Sequence, residues 1–144
     1  MSGWRRLEAD DAPAVERAFE DPDLRAWGEL PADTFALVEG ELLSLVAVIP
    51  EPDPESFELA CWTAPPARGR GLAAEGLRYA ADYALRELDA ERVWVEIDPA
   101  NAASHRVAEK AGFTREGVLR SHCRDRRTGL RHDCVIYSLL PGDR

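Results

Sequence analysis

Arg68-Gly69-Arg70-Gly71-Leu72-Ala73 stands between an expected strand, Phe57 to Thr63, and the clearest helical pattern of the chain, Leu72 to Leu88. Two glycines allow a tight backbone turn with no Cβ in the way. A helix that starts there aims its unpaired N–H groups and the positive end of its dipole at an anion lying in the turn. Such a device cradles a phosphate or pyrophosphate. Arg68 and Arg70 add positive charge beside it. An ordinary glycine turn with exposed arginines is the alternative, because glycine marks turns generally.

Outward from this turn the pattern alternates between strands and helices. Ala73, Leu77, Ala80, Ala81, Ala84, Leu85 and Leu88 recur at helical spacing. On the upstream side Ala64-Pro65-Pro66 stops the strand. Downstream, Arg92 to Ile97 reads as a buried strand, with Val93, Val95 and Ile97 alternating against Trp94 and Glu96. Asn101 caps a shorter helix that runs to Ala111 and ends at Gly112. Thr114 to Leu140 reads as two strands around an arginine-rich turn near Thr128-Gly129.

Toward the N-terminus, Trp4 to Leu7 forms a short strand, and Asp10-Asp11-Ala12-Pro13 opens a helix with Ala14, Val15, Ala18 and Phe19 on its apolar face. Asp21-Pro22-Asp23 breaks it, and a short second turn carries Leu24 and Trp27. Thr34 to Val38 and Leu42 to Ile49 make a hairpin about Glu39-Gly40-Glu41, and Pro50 to Glu55 is a loop. The order β-α-(α)-β-β-β-α-β-α-β-β predicts an α/β domain on a mixed sheet.

A chain of 144 residues suits one compact domain, residues 1–144. Its net charge of −9 argues against a general nucleic-acid binder and favours cationic partners such as amines or basic peptides. No apolar run approaches a membrane span, and Met1-Ser2-Gly3-Trp4-Arg5-Arg6 lacks the apolar core of a signal peptide, so no membrane partner and a cytoplasmic location are expected. Cys61, Cys123 and Cys134 are too few and too scattered for a disulfide scaffold.

Four landmarks in order carry a family resemblance: Glu58-Leu59-Ala60-Cys61-Trp62; Arg68 to Ala73, of the form Arg-x-x-Gly-x-Ala; Asn101-x-x-Ser104 with Gly112-Phe113; and Asp133 to Leu140. Together they resemble the GNAT acyltransferase superfamily, and most closely its ribosomal-protein N-acetyltransferase branch. The likeness covers residues 57–140, and the landmarks of residues 1–56, the acceptor-side part, are faint. Cys61 stands where the branch usually has an aromatic residue.

The resemblance implies a mixed, mostly antiparallel twisted sheet with helices on both faces, and acyl-CoA in the splay between two central strands, Phe57–Thr63 and Arg92–Ile97. It implies that Gly69, Arg70, Gly71, Leu72 and Ala73, with Arg68, hold the pyrophosphate of acetyl-CoA. The pantetheine amides would then pair with backbone near Cys61, Trp62 and Thr63. Glu58 is the candidate general base, since an amine arrives protonated and must lose a proton before it attacks a thioester. A solvated strand carboxylate is the alternative there, and Glu96, directed away from the apolar face of its strand, is the reserve base. Ser104 is the candidate general acid for the departing thiolate, against a plain polar residue in a helix's first turn. Asn101 serves as a helix cap, a role compatible with cofactor contact. Arg106 is either a solvated arginine or a contact to a CoA phosphate.

His122, Cys123, Asp125, His132 and Cys134 gather on the last hairpin. With the turn centred on Thr128-Gly129, Cys123 faces Cys134 and Asp125 faces His132. A metal site or redox pair is the sharper option and free buried cysteines the plainer one; the spacing fits no usual zinc pattern, and no metal is expected. Arg120, Arg124, Arg126, Arg127 and Arg131 form a basic run, read as a solvated hairpin tip or, alternatively, as a contact to the CoA 3′-phosphate or a partner.

The expected activity is therefore acetyl-CoA-dependent N-acylation by direct attack in a ternary complex, with a backbone N–H near Trp62 holding the oxyanion. The acceptor is a protein N-terminal amine or a small cationic amine. A non-catalytic acyl-CoA-binding or regulatory module is the alternative. Oligomeric state stays open, a homodimer being one option.

Overall fold

The computed structural model describes residues 3–125 and 127–143. Arg126, one member of the basic run, lies outside the described residues. The chain forms strands β1 (Trp4–Arg6), β2 (Asp33–Glu39), β3 (Glu41–Pro50), β4 (Ser56–Thr63), β5 (Arg92–Ile97), β6 (Thr114–Arg124) and β7 (Arg131–Leu139). The helices are α1 (Ala12–Ala18), α2 (Pro22–Arg25), α3 (Leu72–Glu87) and α4 (Ala102–Lys110). This is the element order expected from the sequence, with boundaries shifted by one or two residues.

The seven strands lie in one sheet in the order β1-β2-β3-β4-β5-β7-β6. Every neighbouring pair is antiparallel except β4 and β5. That exception follows from connectivity, because α3 crosses one face between the two strands and returns the chain in the same direction. Successive side chains of a strand point to opposite faces, so β3 and β4 serve two cores. Val46, Val48, Leu59, Val93 and Val95 pack on the face covered by Leu77, Ala80, Ala81 and Ala84 of α3 and by Ala108 of α4. Leu45 and Trp62 turn to the opposite face, where Leu24 of α2 and the apolar side of α1 cover them. The run Leu45-Val46-Ala47-Val48 is wholly buried, as a strand covered on both sides requires. Among the described residues no helix is long and apolar enough to cross a membrane.

The last hairpin departs from its expected register. Leu119 pairs with Cys134 and Cys123 with His132, so β6 spends four steps where β7 spends two. The excess forms a bulge over Arg120, Ser121 and His122. Ser121 adopts φ 52°, its N–H donates to Asp133 Oδ1 (2.8 Å), and its carbonyl accepts from Arg131 Nε (2.9 Å). Cys123 and Cys134 are therefore diagonal rather than directly opposed, with Cα atoms 5.9 Å apart, and they are joined in a disulfide instead of standing as free cysteines. Asp125 does not face His132. Its N–H donates to the Leu130 carbonyl, and its carboxylate accepts from the Arg127 N–H to close the turn. The arginines act as braces here: Arg124 donates to the Gly129 carbonyl and Arg127 to Asp23 of α2 (2.9 Å).

Two predictions follow from the packing. Gly76 lies in α3 where an added Cβ would meet the Trp4 ring at 2.8 Å. Gly76→Ala should therefore lower the melting temperature, although the same change in an open helix stabilises by up to about 1 kcal/mol. Glu116 accepts two bonds from Arg92 (2.7 and 2.8 Å) and one from Ser138 (2.5 Å), tying β6 to β5 and β7. Arg92 first, then Ser138, holds its carboxyl at about 2, below the ordinary 4.5. A carboxyl depressed in the folded state contributes stability that is present above its unfolded value and lost as pH falls toward the folded one. Denaturant titrations between pH 5 and about 2 should show the parent losing stability that Glu116→Gln lacks throughout.

Candidate active site

The two central strands pair only at Ser56 with Arg92, Phe57 with Val93 and Glu58 with Trp94. Beyond that point β4 continues to Thr63 against β3, and β5 continues to Ile97 against β7. Between Leu59–Thr63 and Val95–Ile97 the sheet is open, and among the described residues each strand has one edge without a ladder partner there. The predicted splay lies at this place.

The glycine turn sits at the open end. Pro65–Ala67 forms a single 3₁₀ turn after β4, then Gly69 (φ 82°) and Gly71 (φ 78°) lead into α3. Among the described residues nothing stands within 4 Å of a Cβ added at Gly69, so the left-handed backbone, not a crowded neighbour, demands glycine at that position. Gly71 is the N-cap of α3 and brings no side-chain acceptor, which leaves first-turn N–H donors to an outside group. Leu72 is buried beneath the turn and Ala73 half-buried.

Charge at the turn is distributed differently from the sequence expectation. Arg68 is turned back: Nε donates to the Thr63 carbonyl (3.2 Å), and Nη2 stands 3.6 Å from Asp21 and 3.7 Å from Asp23. Asp21 also accepts from Trp62 Nε1 (2.9 Å), so Arg68 closes the end of β4 onto α2. Arg70 is exposed. The cation brought to the turn is Lys110, whose Nζ lies 3.2 Å from where a Gly71 Cβ would stand. Sequence reading missed it because only the packing of the end of α4 against the start of α3 brings the two together.

Around the opening, the face covered by α3 and α4 carries Cys61 and the start of α4. Cys61 packs against the α3-side core, and burial pushes its thiol up to about 11. Trp62 is buried under α1 and α2, so near the opening it offers backbone rather than its ring. Asn101 caps α4 by accepting from the Ser104 N–H (3.2 Å), and Ser104 is half-buried in the first turn. His105 beside it bonds the Tyr137 hydroxyl (2.9 Å) and the Asp98 carbonyl (3.2 Å). Arg106 is exposed.

The opposite face carries both carboxylates singled out from the sequence. Glu58 is half-buried across from Trp94, and Glu96 lies on the same face two residues further along β5. His122, presented by the β6 bulge, places Nε2 3.5 Å from Glu96 Oε2. His122, but neither Glu58 nor Glu96, lines a cavity of about 660 Å³ together with Glu51, Ser56, Trp94, Leu119 and Ile136. Glu51 is fixed in its wall, accepting from Trp94 Nε1 (2.6 Å) and Ser56 Oγ (2.9 Å). Glu96, Cys123 and Cys134 bring ligand atoms within 4.8 Å of one another, but the two sulfurs are joined to each other.

Residues 34–114, more than half of the chain, match the family pattern of the acetyltransferase (GNAT) domain. The chain belongs to the GNAT acetyltransferase family. It is 41% identical over 75 residues (52% of the chain) to "Probable N-acetyltransferase YjcK" of Bacillus subtilis, and 35% identical over 83 residues (58%) to "Putative ribosomal N-acetyltransferase YdaF" of the same organism. The aligned stretches span 40% and 44% of those relatives' own lengths. In fold it is similar to the spermidine N-acetyltransferase of Vibrio cholerae solved with CoA and spermine, with a TM-score of 0.77 at 20% identity, covering 97% of this chain and 95% of that one. The sheet order, the single parallel pair and the helices on both faces are thus the GNAT fold.

A free thiol held near 11 is almost entirely protonated at pH 8 and attacks slowly. Iodoacetamide at pH 8 should alkylate Cys61 at least about tenfold more slowly in the folded protein than in urea, as read by mass spectrometry of the non-disulfide cysteine.

Proposed function

We propose that the chain is an acetyl-CoA-dependent N-acetyltransferase that acylates a primary amine by direct attack in a ternary complex. Residues 1–144 form one acyltransferase domain, with residues 57–140 holding the cofactor and residues 1–56 contributing to the acceptor side. The observation that carries this reading is the opening between β4 and β5, with an anion seat at its end and carboxylates on the face away from α3. The residues present fit CoA. The unpaired edges of β4 and β5 offer the donors and acceptors that pantetheine amides require, and the α3 N-terminus beside Lys110 suits a pyrophosphate. The Vibrio cholerae relative, solved with CoA and spermine, supports both a CoA site and a cationic amine acceptor in this fold.

Bound acetyl-CoA supplies an acyl group already activated as a thioester. Gly69 to Ala73 hold the pyrophosphate through backbone N–H groups, with Lys110 as the nearby cation. Arg68 fixes the end of β4 rather than the phosphate, since two aspartates already engage it. Backbone near Cys61, Trp62 and Thr63 orients the acyl arm, and an N–H there stabilises the oxyanion. Glu58 receives a proton from the acceptor nitrogen, directly or through water, and Ser104 donates one to the leaving sulfur. Asn101 holds the α4 turn that carries Ser104.

Thiol release from acetyl-CoA with a panel of amines and peptide N-termini tests the activity. Glu58→Gln should lower kcat about 100-fold or more while leaving CoA affinity unchanged. Release of no thiol by a parent that binds CoA would instead favour a non-catalytic CoA-binding module. For the cofactor seat, calorimetry should find CoA bound about tenfold more weakly by Lys110→Ala, the scale of one lost charge contact. Arg68→Ala should have a smaller effect, and Gly71→Val, a β-branched residue forced to φ 78°, a larger one. Unchanged affinity in both Lys110→Ala and Gly71→Val would refute the seat.

A further inference from the structure

We infer that His122, backed by Glu96, is a second proton acceptor for the substrate amine. It takes the ammonium proton that must leave before attack. This rests on the N-acetyltransferase reading and assigns a residue to its acceptor side.

The reaction takes two protons from the nitrogen and returns one to sulfur, so two acceptors can divide the work. An alkylammonium that becomes an amide loses two N–H protons, while the departing sulfur takes up one. The first proton leaves before the C–N bond forms; the second leaves as that bond forms and the C–S bond breaks, with its electron pair remaining on sulfur. Proton transfer is most efficient when the acceptor titrates near the working pH, and imidazole is the side chain whose ordinary range lies there. Glu58 on β4 is placed for a proton lost close to the β4–β5 opening. His122, which lines the cavity and faces Glu96 of the same face, suits the incoming ammonium.

The geometry at His122 fits that task. The residue is 46% exposed and lines the cavity of about 660 Å³, so a solute reaches it. Nε2 faces Glu96 Oε2 at 3.5 Å, and among the described residues Glu96 is the ring's one polar partner, which leaves Nδ1 for substrate. The carboxylate behind the ring stabilises the imidazolium formed when Nδ1 accepts the proton. Position is not left to a loose loop. The two-residue excess in β6 lifts His122 over β5, and three restraints hold that bulge: the Asp133 bond to Ser121, the Arg131 bond to the Ser121 carbonyl, and the Cys123–Cys134 disulfide immediately after it. A regular strand would not spend a left-handed serine to present a solvated histidine.

The surrounding charges favour a cation arriving here. Glu96 comes from β5 and Glu51 from the loop after β3, and Arg92 of β5 is neutralised by Glu116 of β6. On β7, Asp133 is engaged by Ser121, and Arg131 by the Ser121 carbonyl. Arg120 and Arg124 flank His122 along its own strand, with Arg124 occupied by Gly129.

The test is the pH profile of kcat/KM for amine acetylation between pH 6 and 9, with CoA affinity measured in parallel. His122→Gln should lower kcat/KM about 100-fold at pH 7 and much less at pH 9, where more of the amine is already free, with CoA affinity unchanged. Glu96→Gln should keep measurable activity and lower kcat/KM at pH 7 less than His122→Gln does. Added imidazole should restore part of the rate to His122→Ala. Parent-like profiles in both His122→Gln and Glu96→Gln, or a loss that is equal at every pH and insensitive to imidazole, would overturn the assignment while leaving the acetyltransferase reading intact. A parent that binds CoA and acetylates no amine would overturn both.

Discussion

One constraint organises the molecule: a parallel pair of strands inside an otherwise antiparallel sheet. Antiparallel neighbours follow one another through hairpins, but β4 and β5 require the α3 crossover, and each is held on its far side by an antiparallel partner. Each of those antiparallel ladders runs further than the three residues of parallel pairing. The β4–β5 seam is where the sheet opens. Because the crossover helix starts just after β4 ends, its N-terminal N–H groups lie at the mouth of the opening. The open strand edges and the helix N-terminus at their end, on which the proposed function rests, are consequences of one topological choice.

The same seam separates two chemical environments. On the α3 face, burial raises the Cys61 thiol and packs β4 and β5 against small alanines of the helix. On the other face the strands carry Glu58, Trp94 and Glu96, and the helical cover is thinner. Aspartates 21 and 23 illustrate how local pairing decides what a charge is available for. They draw in Arg68 from the glycine turn and Arg127 from the β6–β7 hairpin, so two arginines conspicuous in the sequence serve as struts. The Lys110 ammonium, inconspicuous in the sequence, is left beside Gly71.

Much of this was legible in the residues, and the failures share a cause. Hydrophobic periodicity located β5 and α3, since alternation and the alanine stripe are properties of contiguous segments, and turn and breaker residues bounded the other elements. The glycine turn was legible because only glycine adopts φ near 80° without strain, at Gly69 and again at Gly71. The pairing in the last hairpin was not. Assuming a regular ladder about Thr128-Gly129 put Asp125 opposite His132, whereas two extra residues in β6 shifted every partner beyond Leu119. A bulge closed by Asp133 and Arg131 leaves no periodic trace; its signal is a side-chain bond to backbone across strands. The engagement of Arg68 by Asp21 and Asp23, and the approach of Lys110 to Gly71, were not legible for the same reason, because the partners lie on other elements.

How the helices share out the two faces bears directly on selectivity. On the face carrying Glu58, α1 and α2 cover the first strands through Leu24, Leu45 and Trp62. Among the described residues, that face of β5, β7 and β6 is covered only by the small cluster of Trp94, Cys123, Cys134 and Ile136. The cavity there has a floor and a side wall, with Val118 and Leu119 exposed at its rim. A site with one open side discriminates weakly by the length or bulk of what enters it. Under the proposed function it would discriminate by the groups fixed around it, Trp94 bonded to Glu51 and His122 facing Glu96. For the amine acceptor of the proposed function, a cation beside the Trp94 ring is the arrangement this wall favours, with the rest of the acceptor extending into solvent.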